Sequence, residues 1–218
     1  DATDVDAVLA HVYEARSERP QPERDEKVVV SWNAMAARGS LRAGAALHDG
    51  EIRARGLGLV RMLLERADVT EGRRGGAPEL VHVLDDPAVG HVRLAEDYAH
   101  LAAACLAAHA AEPGGGYLEE AERLQAAADE RFREDGAVYA TPDDTELPAR
   151  PLDDRDSPSP SAASVLARNA LELAAATGRP EYRAFAEEVL SGFRLLASEA
   201  PPFAAAALSA MVDLLSEE

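Results

Sequence analysis

The chain has 218 residues, of which 47% are hydrophobic, so it can bury a core and general disorder is excluded. Its net charge of −18 argues against nucleic-acid binding, and the lack of any run of about 18 apolar residues argues against a membrane span. A single cysteine excludes an internal disulfide framework. Because the sequence opens on acidic residues and not on a signal-peptide pattern, we expect a cytoplasmic protein.

Helical periodicity recurs along almost the whole chain, with apolar residues three or four positions apart. The abundance of alanine and an aromatic content of 5% favour closely packed helices over sheets. The sequence therefore predicts an all-α protein of antiparallel helical hairpins, forming a single domain over 1–218. The helices are predicted at 4–16, 30–47, 51–68, 94–109, 117–133, 160–176, 180–197 and 203–216, with short extended pieces at 80–84 and 137–140.

Glycine and proline mark the turns between these helices. Gly178 suits a left-handed cap at a helix end, and Pro180 suits the first turn of the next helix. Ser159 and Pro160 are predicted to cap and open the helix over 160–176. The segment 141–160 is rich in proline, aspartate and serine, and we predict a long loop of the kind that is often functional.

The first candidate site is a charged, proline-bounded segment that leads into a helix bearing the single tryptophan, Trp32. A tryptophan can stack on the C–H face of a sugar ring while nearby carboxylates accept its hydroxyls. Asp25, Trp32 and Asn33 are therefore candidate substrate-binding residues. The alternative is a buried core tryptophan that follows a solvated run of charges.

The second candidate site lies at the start of the helix over 94–109, where Glu96, Asp97 and Tyr98 follow one another. A general acid and base require such a carboxylate pair, so Asp97 and Glu96 are candidate catalytic residues. Tyr98 is predicted at the mouth of the pocket as a substrate-binding residue. The alternative is that acidic residues in a first turn only stabilise the helix dipole.

The third candidate site is the acidic loop that runs into the helix over 160–176. Asp156 and Ser161 are candidate substrate-binding residues there, because a helix N-terminus offers hydroxyls and N–H groups to an oxygen-rich ligand. The alternative is an ordinary capped helix.

Histidine spacing does not indicate a metal site. The six histidines form no HExxH motif or other tight ligand pattern, and the sequence has no phosphate-binding glycine loop and no GxSxG turn. We therefore expect no metal and no cofactor.

Several segments, in order, resemble motifs of one known family. The sequence RPQPERDEKVVVSWN over 19–33 resembles a motif ending in Trp-Asn-Gly, and LAEDYA over 94–99 resembles an LEDYA helix. Residues 117–141 and 165–197 continue the likeness, and 156–164 lies where the family has DxAxPSGNS. Over nearly its whole length the chain thus resembles thioredoxin domain-containing proteins of the spermatogenesis-associated protein 20 (YyaL-like) family.

The resemblance implies an N-terminal thioredoxin-like domain followed by an α/α toroid of the six-hairpin glycosidase type, related in shape to N-acylglucosamine 2-epimerases. The chain would then be the C-terminal portion of a longer protein, with fewer helices than a closed ring of six hairpins needs. The expected partners are the thioredoxin-like domain or the missing toroid half, together with a saccharide ligand. Where the family has Ser-Gly-Asn-Ser, residues 161–164 read Ser-Ala-Ala-Ser, so an amide side chain is missing.

Two functions follow from this reading. The first is a carbohydrate-active or carbohydrate-binding toroid, glycosidase-like or sugar epimerase-like if active, whose candidate residues line a central hollow. The second is a non-catalytic interaction or regulatory scaffold for a thioredoxin-like partner domain, which the altered motif at 161–164 favours.

Overall fold

The computed structural model describes residues 2–68, 77–84, 86, 89, 92–145 and 147–216. The predicted all-α class is confirmed. The helices are α1 (Ala2–Ser17), α2 (Val30–Ala46), α3 (Gly50–Arg66), α4 (Ala95–Ala111), α5 (Tyr117–Phe132), α6 (Ala162–Thr177), α7 (Pro180–Ser191), α8 (Arg194–Glu199) and α9 (Ala205–Ser216), with a 3-10 turn at Pro201–Ala204. The described residues also form four two-residue strands, β1 (Val28–Val29), β2 (Val83–Leu84), β3 (Arg133–Glu134) and β4 (Ala137–Val138). Within the described ranges, no helix combines the length and apolarity needed to cross a membrane.

The helix predicted over 180–197 is broken, and this is the main departure from the sequence pattern. The N–H groups of Gly192 and Phe193 donate to Val189 and Leu190, three residues back, instead of four. This tighter turn separates α7 from α8 and buries Phe193. The apolar period continued across the break, so periodicity alone could not show it.

The ends of α6 differ in how well they were predicted. Ser161, and not Ser159, is the N-cap, because its hydroxyl accepts the Ser164 N–H at 3.2 Å. At the other end Gly178 caps α6 with a φ of 71°, and Pro180 opens α7, as predicted.

The helices form two rows. The first row is α2, α4 and α6, with α4 packed between the other two. The second row is α3, α5 and α7, which pack against α2, α4 and α6 respectively. Twelve of the 17 residues of α4 are buried, which its alanine-rich sequence permits because small side chains let neighbouring helices approach on several sides. Outside the two rows, α9 packs against α6.

The first-row helices all begin at the same end of the molecule. The Ser31 N–H in the first turn of α2 donates to the Asp97 carboxylate in the first turn of α4, at 2.9 Å. The Asn169 amide of α6 donates to the Ala99 carbonyl of α4, at 2.8 Å. At this end β1 pairs antiparallel with β2, which brings the segment before α2 against the segment before α4.

In contrast, α1 lies apart from these rows. Each of its described side chains is exposed, and its apolar side chains share one face without a packing partner among the described residues. That face carries Val5, Val8, Leu9, Val12 and Tyr13, which are 56–67% exposed.

Candidate functional site

A cleft of about 520 Å³ opens where the segments before α2 and α4 meet. Trp32 stands in its wall with 64% of its surface exposed, so the alternative of a buried core tryptophan is wrong. The cleft combines an apolar surface with a few charged groups, as ligand pockets commonly do. Its lining residues are Asp25, Lys27, Val29, Trp32, His82, Val83, Val89 and Val92.

Behind the cleft, His82 is hydrogen-bonded to a buried carboxylate. His82 Nδ1 lies 2.9 Å from Asp97 Oδ2, and Asp97 Oδ1 accepts the Ser31 N–H at 2.9 Å. With Nδ1 protonated, Nε2 is the ring nitrogen left to accept a proton or bind a ligand. His82 was not among the predicted site residues, because no motif spacing links it to Asp97, although it lies in the extended segment predicted at 80–84.

Burial and hydrogen bonding oppose each other in this pair. Burial raises the pKa of the Asp97 carboxyl, while its hydrogen bonds with His82 and Ser31 act to lower it. The hydrogen bond with Asp97 raises the pKa of His82, and burial acts in the opposite direction. Asp97 is fully buried and does not line the cleft, whereas His82, which it holds, does.

Glu96 is the second carboxylate of the predicted pair and is partly exposed. Its Oε1 lies 3.8 Å from His82 Nδ1. Burial and then the charge of Asp97 raise the pKa of Glu96, against the effects of His82 and Ser31. Groups whose pKa values are displaced toward neutrality are suited to proton transfer near neutral pH.

The hydroxyl of Ser31 completes this cluster. Ser31 is fully buried, and no described residue makes a hydrogen bond with its Oγ. The hydroxyl nevertheless lies close enough to Glu96 and Asp97 to act on the pKa of both carboxyls. The first turns of α2 and α4 therefore place an unpaired polar atom against two carboxylates.

Asp25 and Asn33, two of the predicted binding residues, have different roles. Asp25 is exposed at the cleft, where the Lys27 N–H and ammonium both bind it and lower the pKa of its carboxyl. It is therefore a carboxylate that can accept ligand hydroxyls. The Asn33 amide instead donates to the Val29 carbonyl at 2.8 Å, so it fixes the turn from β1 into α2.

Tyr98 does not lie at the mouth of a pocket. It is fully buried, and its hydroxyl accepts the Leu80 N–H at 3.0 Å and donates to the Pro78 carbonyl at 3.2 Å. Its ring also packs against Phe132, with centroids 5.2 Å apart. The predicted substrate-binding role is corrected to a core role, because a buried tyrosine needs polar partners for its hydroxyl and these backbone groups provide them.

Asp156 and Ser161 lie outside the Trp32 cleft. Asp156 accepts the Ser161 N–H at 2.9 Å and the Ala206 N–H at 2.7 Å, so one carboxylate caps both α6 and α9. Helix N-termini leave N–H groups without partners inside the helix, which explains this use of an acidic loop. Asp156 lines a separate cleft of about 480 Å³ with Phe203. Trp32 and Asp156, which were expected to face one hollow, thus line separate clefts.

Comparison with known proteins supports the resemblance read from the sequence. No protein-family model matches the chain. Spermatogenesis-associated protein 20 of Rattus norvegicus is 30% identical over 184 residues, which cover 80% of this chain and 23% of that protein. The chain therefore spans about a quarter of the length of the curated relatives it matches.

Solved structures share the fold at low sequence identity. A GH76 α-mannanase of Bacteroides thetaiotaomicron superposes with a TM-score of 0.70 at 15% identity, over 91% of this chain and 55% of that one. An inactive variant of the α-1,6-mannanase GH76A of Salegentibacter, in complex with α-1,6-mannotriose, gives a TM-score of 0.60 at 16% identity, over 76% and 47%. The chain is therefore a homologue of spermatogenesis-associated protein 20 over 80% of its length, with the fold of the α/α-toroid glycosidase-like proteins.

Proposed function

We propose that this glycosidase-related toroid region binds a saccharide in the Trp32 cleft. The observation that carries the proposal is that an exposed tryptophan shares this cleft with Asp25 and His82, while the buried Asp97 holds His82 from behind. The α-1,6-mannotriose complex of a protein with the same fold supports a saccharide as the ligand class.

Binding would use both surfaces of the cleft. The indole face of Trp32 stacks on the apolar C–H face of a pyranose ring, assisted by the neighbouring valines. The Asp25 carboxylate accepts hydrogen bonds from sugar hydroxyls, and the Lys27 ammonium donates them. This division between stacking and hydrogen bonding selects a polyhydroxylated ring over a purely apolar ligand.

If the site is catalytic, His82 is the group that meets the substrate. Asp97 orients the imidazole and stabilises its protonated form, so His82 Nε2 can take a proton from the ligand and return it. In this proposal Asp97 is a positioning residue and Glu96 is a second acid–base group. The Salegentibacter variant described as inactive has two consecutive aspartates replaced, and Glu96–Asp97 is likewise a consecutive acidic pair.

The fluorescence of Trp32, the single tryptophan, tests saccharide binding directly. We expect a saturable change on titration with α-1,6-manno-oligosaccharides or another member of a broad saccharide panel. His82→Asn should weaken the response, whereas His11→Asn, a change at an exposed histidine on α1, should leave it unaltered. The absence of any response across the panel, with the protein folded by circular dichroism, would contradict the proposal.

The scaffold function keeps one observation in its favour. The apolar face of α1 is exposed and offers a surface on which another protein segment could pack. If a thioredoxin-like domain uses this face, Leu9→Glu should abolish a complex with that domain detected by size-exclusion chromatography. A complex that persists in Leu9→Glu would argue against this use of α1.

A further inference from the structure

We propose that His82, Glu96 and Asp97 form a binding site for one divalent transition-metal ion, Zn²⁺ or Mn²⁺, beside the Trp32 cleft, which His82 also lines. Each residue can offer one ligand atom, and these atoms all lie within 4.8 Å of one another. The inference is independent of the saccharide proposal, because it rests on the donor atoms and not on what else occupies the cleft.

The donor set fits such an ion. One imidazole nitrogen and two carboxylate oxygens are ligands that zinc accepts, at about 2.0–2.2 Å, and three protein ligands with one open position are typical of a zinc site that also binds water or substrate. His82 and Asp97 are already 2.9 Å apart, and Glu96 lies 3.8 Å from the same His82 nitrogen. Glu96 is only partly buried, so rotation of its side chain can close the remaining distance.

The Ser31 hydroxyl is an independent observation that points to a ligand here. It is fully buried, and among the described residues it has no hydrogen-bond partner. Its own backbone N–H holds Asp97, which places the hydroxyl beside the carboxylates. A buried polar group without a partner costs free energy, and a bound ion or a water on that ion would satisfy it.

Binding of the ion releases one proton from the site. The proton on His82 Nδ1 is released to solvent, and the nitrogen lone pair then binds the ion. Asp97 Oδ2, which had accepted the hydrogen bond from His82, binds the ion instead. Asp97 Oδ1 keeps its hydrogen bond from the Ser31 N–H. The ion also offsets the repulsion between two adjacent carboxylates. The ion-bound site and the His82–Asp97 hydrogen bond are therefore alternative states of the same residues.

Equilibrium dialysis of the untagged, chelator-treated protein against Zn²⁺ or Mn²⁺, with the bound metal counted by mass spectrometry, tests the site. We expect one ion per chain. His82→Asn and Glu96→Gln should each weaken binding at least about tenfold, because even residues that only support a ligand change affinity by about 10–100-fold. His11→Asn should bind as the parent does, and circular dichroism confirms that each variant is folded.

Two results would overturn the site. One is no bound ion in the parent protein, and the other is equal binding in the parent and in His82→Asn, which would locate the ion elsewhere. The saccharide titration of Trp32, repeated with chelator and with Zn²⁺, separates this inference from the proposed function. A saccharide response without any bound ion removes only the metal site, and a bound ion without a saccharide response removes only the saccharide site.

Discussion

Asp153 shows how a single partly buried carboxyl couples the acidic loop to stability. Burial raises its pKa from 3.8 to about 6, the Ala162 N–H acts to lower it, and the charges of Glu96 and Asp156 raise it further. The folded state therefore holds this proton more tightly than the unfolded state does. The stability that it contributes is present below about pH 4 and is lost as the pH rises through about 6.

Asp153→Asn should remove this pH dependence, because the amide does not titrate and can still accept the Ala162 N–H. Between pH 4 and pH 7 the parent should lose up to about 2 kcal/mol relative to the variant, since each pKa unit corresponds to about 1.36 kcal/mol. Calorimetric unfolding temperatures across this range provide the measurement. Asp143→Asn, at an exposed position in the same loop, is the control. Parallel pH profiles for Asp153→Asn and the parent would contradict the argument.

Two adjacent acidic residues, Glu96 and Asp97, have different environments, which composition cannot reveal. Glu96 and Asp97 are neighbours in sequence, yet one is partly exposed and the other is fully buried. The alternative that they only stabilise the helix dipole is therefore incomplete, because Asp97 binds both His82 and Ser31.

At the scale of the elements, the contact between α2 and α3 depends on glycine at one position and not at another. A Cβ at Gly44 would lie 2.7 Å from the Arg53 nitrogen and 3.0 Å from the Asp49 carbonyl oxygen, which are backbone atoms that cannot rotate away. A Cβ at Gly39, in the same helix, would meet nothing within 4 Å. The two glycines of α2 thus differ sharply in how closely they are packed.

Gly44→Ala should destabilise the protein by about 1–3 kcal/mol, because the added methyl forces the two helices apart. Gly39→Ala should stabilise it by about 0.5–1 kcal/mol, because alanine loses less backbone entropy in a helix. Urea unfolding followed by circular dichroism gives both values. Similar changes of the same sign in the two variants would show that the close approach of α2 and α3 does not limit stability.

For the whole molecule, the separation of α1 from the two rows predicts that α1 contributes little to the stability of the rest. Removal of residues 1–17 should shift the unfolding temperature of the remainder by less than about 2 °C, which corresponds to under about 1 kcal/mol for a chain of this size. Removal of α9 should lower it strongly, because Ala207 and Ala210 are buried against the rest of the core. Scanning calorimetry compares the two truncations. A large loss of stability on removal of α1 would mean that its apolar face packs within this chain.

The positions of the helices could be predicted from the sequence because a helix is decided by residues three and four apart. Gly178 and Pro180 likewise act locally, and the structure confirms them. The break after Ser191 could not be predicted, because it depends on where Phe193 is buried and not on the local period.

The candidate site was predictable only in part. The sequence by itself determined that Trp32 and the Glu96–Asp97 pair would lie near the starts of two helices, since helical patterns are local. The joining of His82 to Asp97 and of Ser31 to Asp97, across 15 and 66 residues, depends on how the first-row helices pack. The same packing buries Tyr98 in the core and brings Asp156 to the starts of α6 and α9. In both cases backbone groups that tertiary contacts remove from water need hydrogen-bond partners, and these side chains provide them.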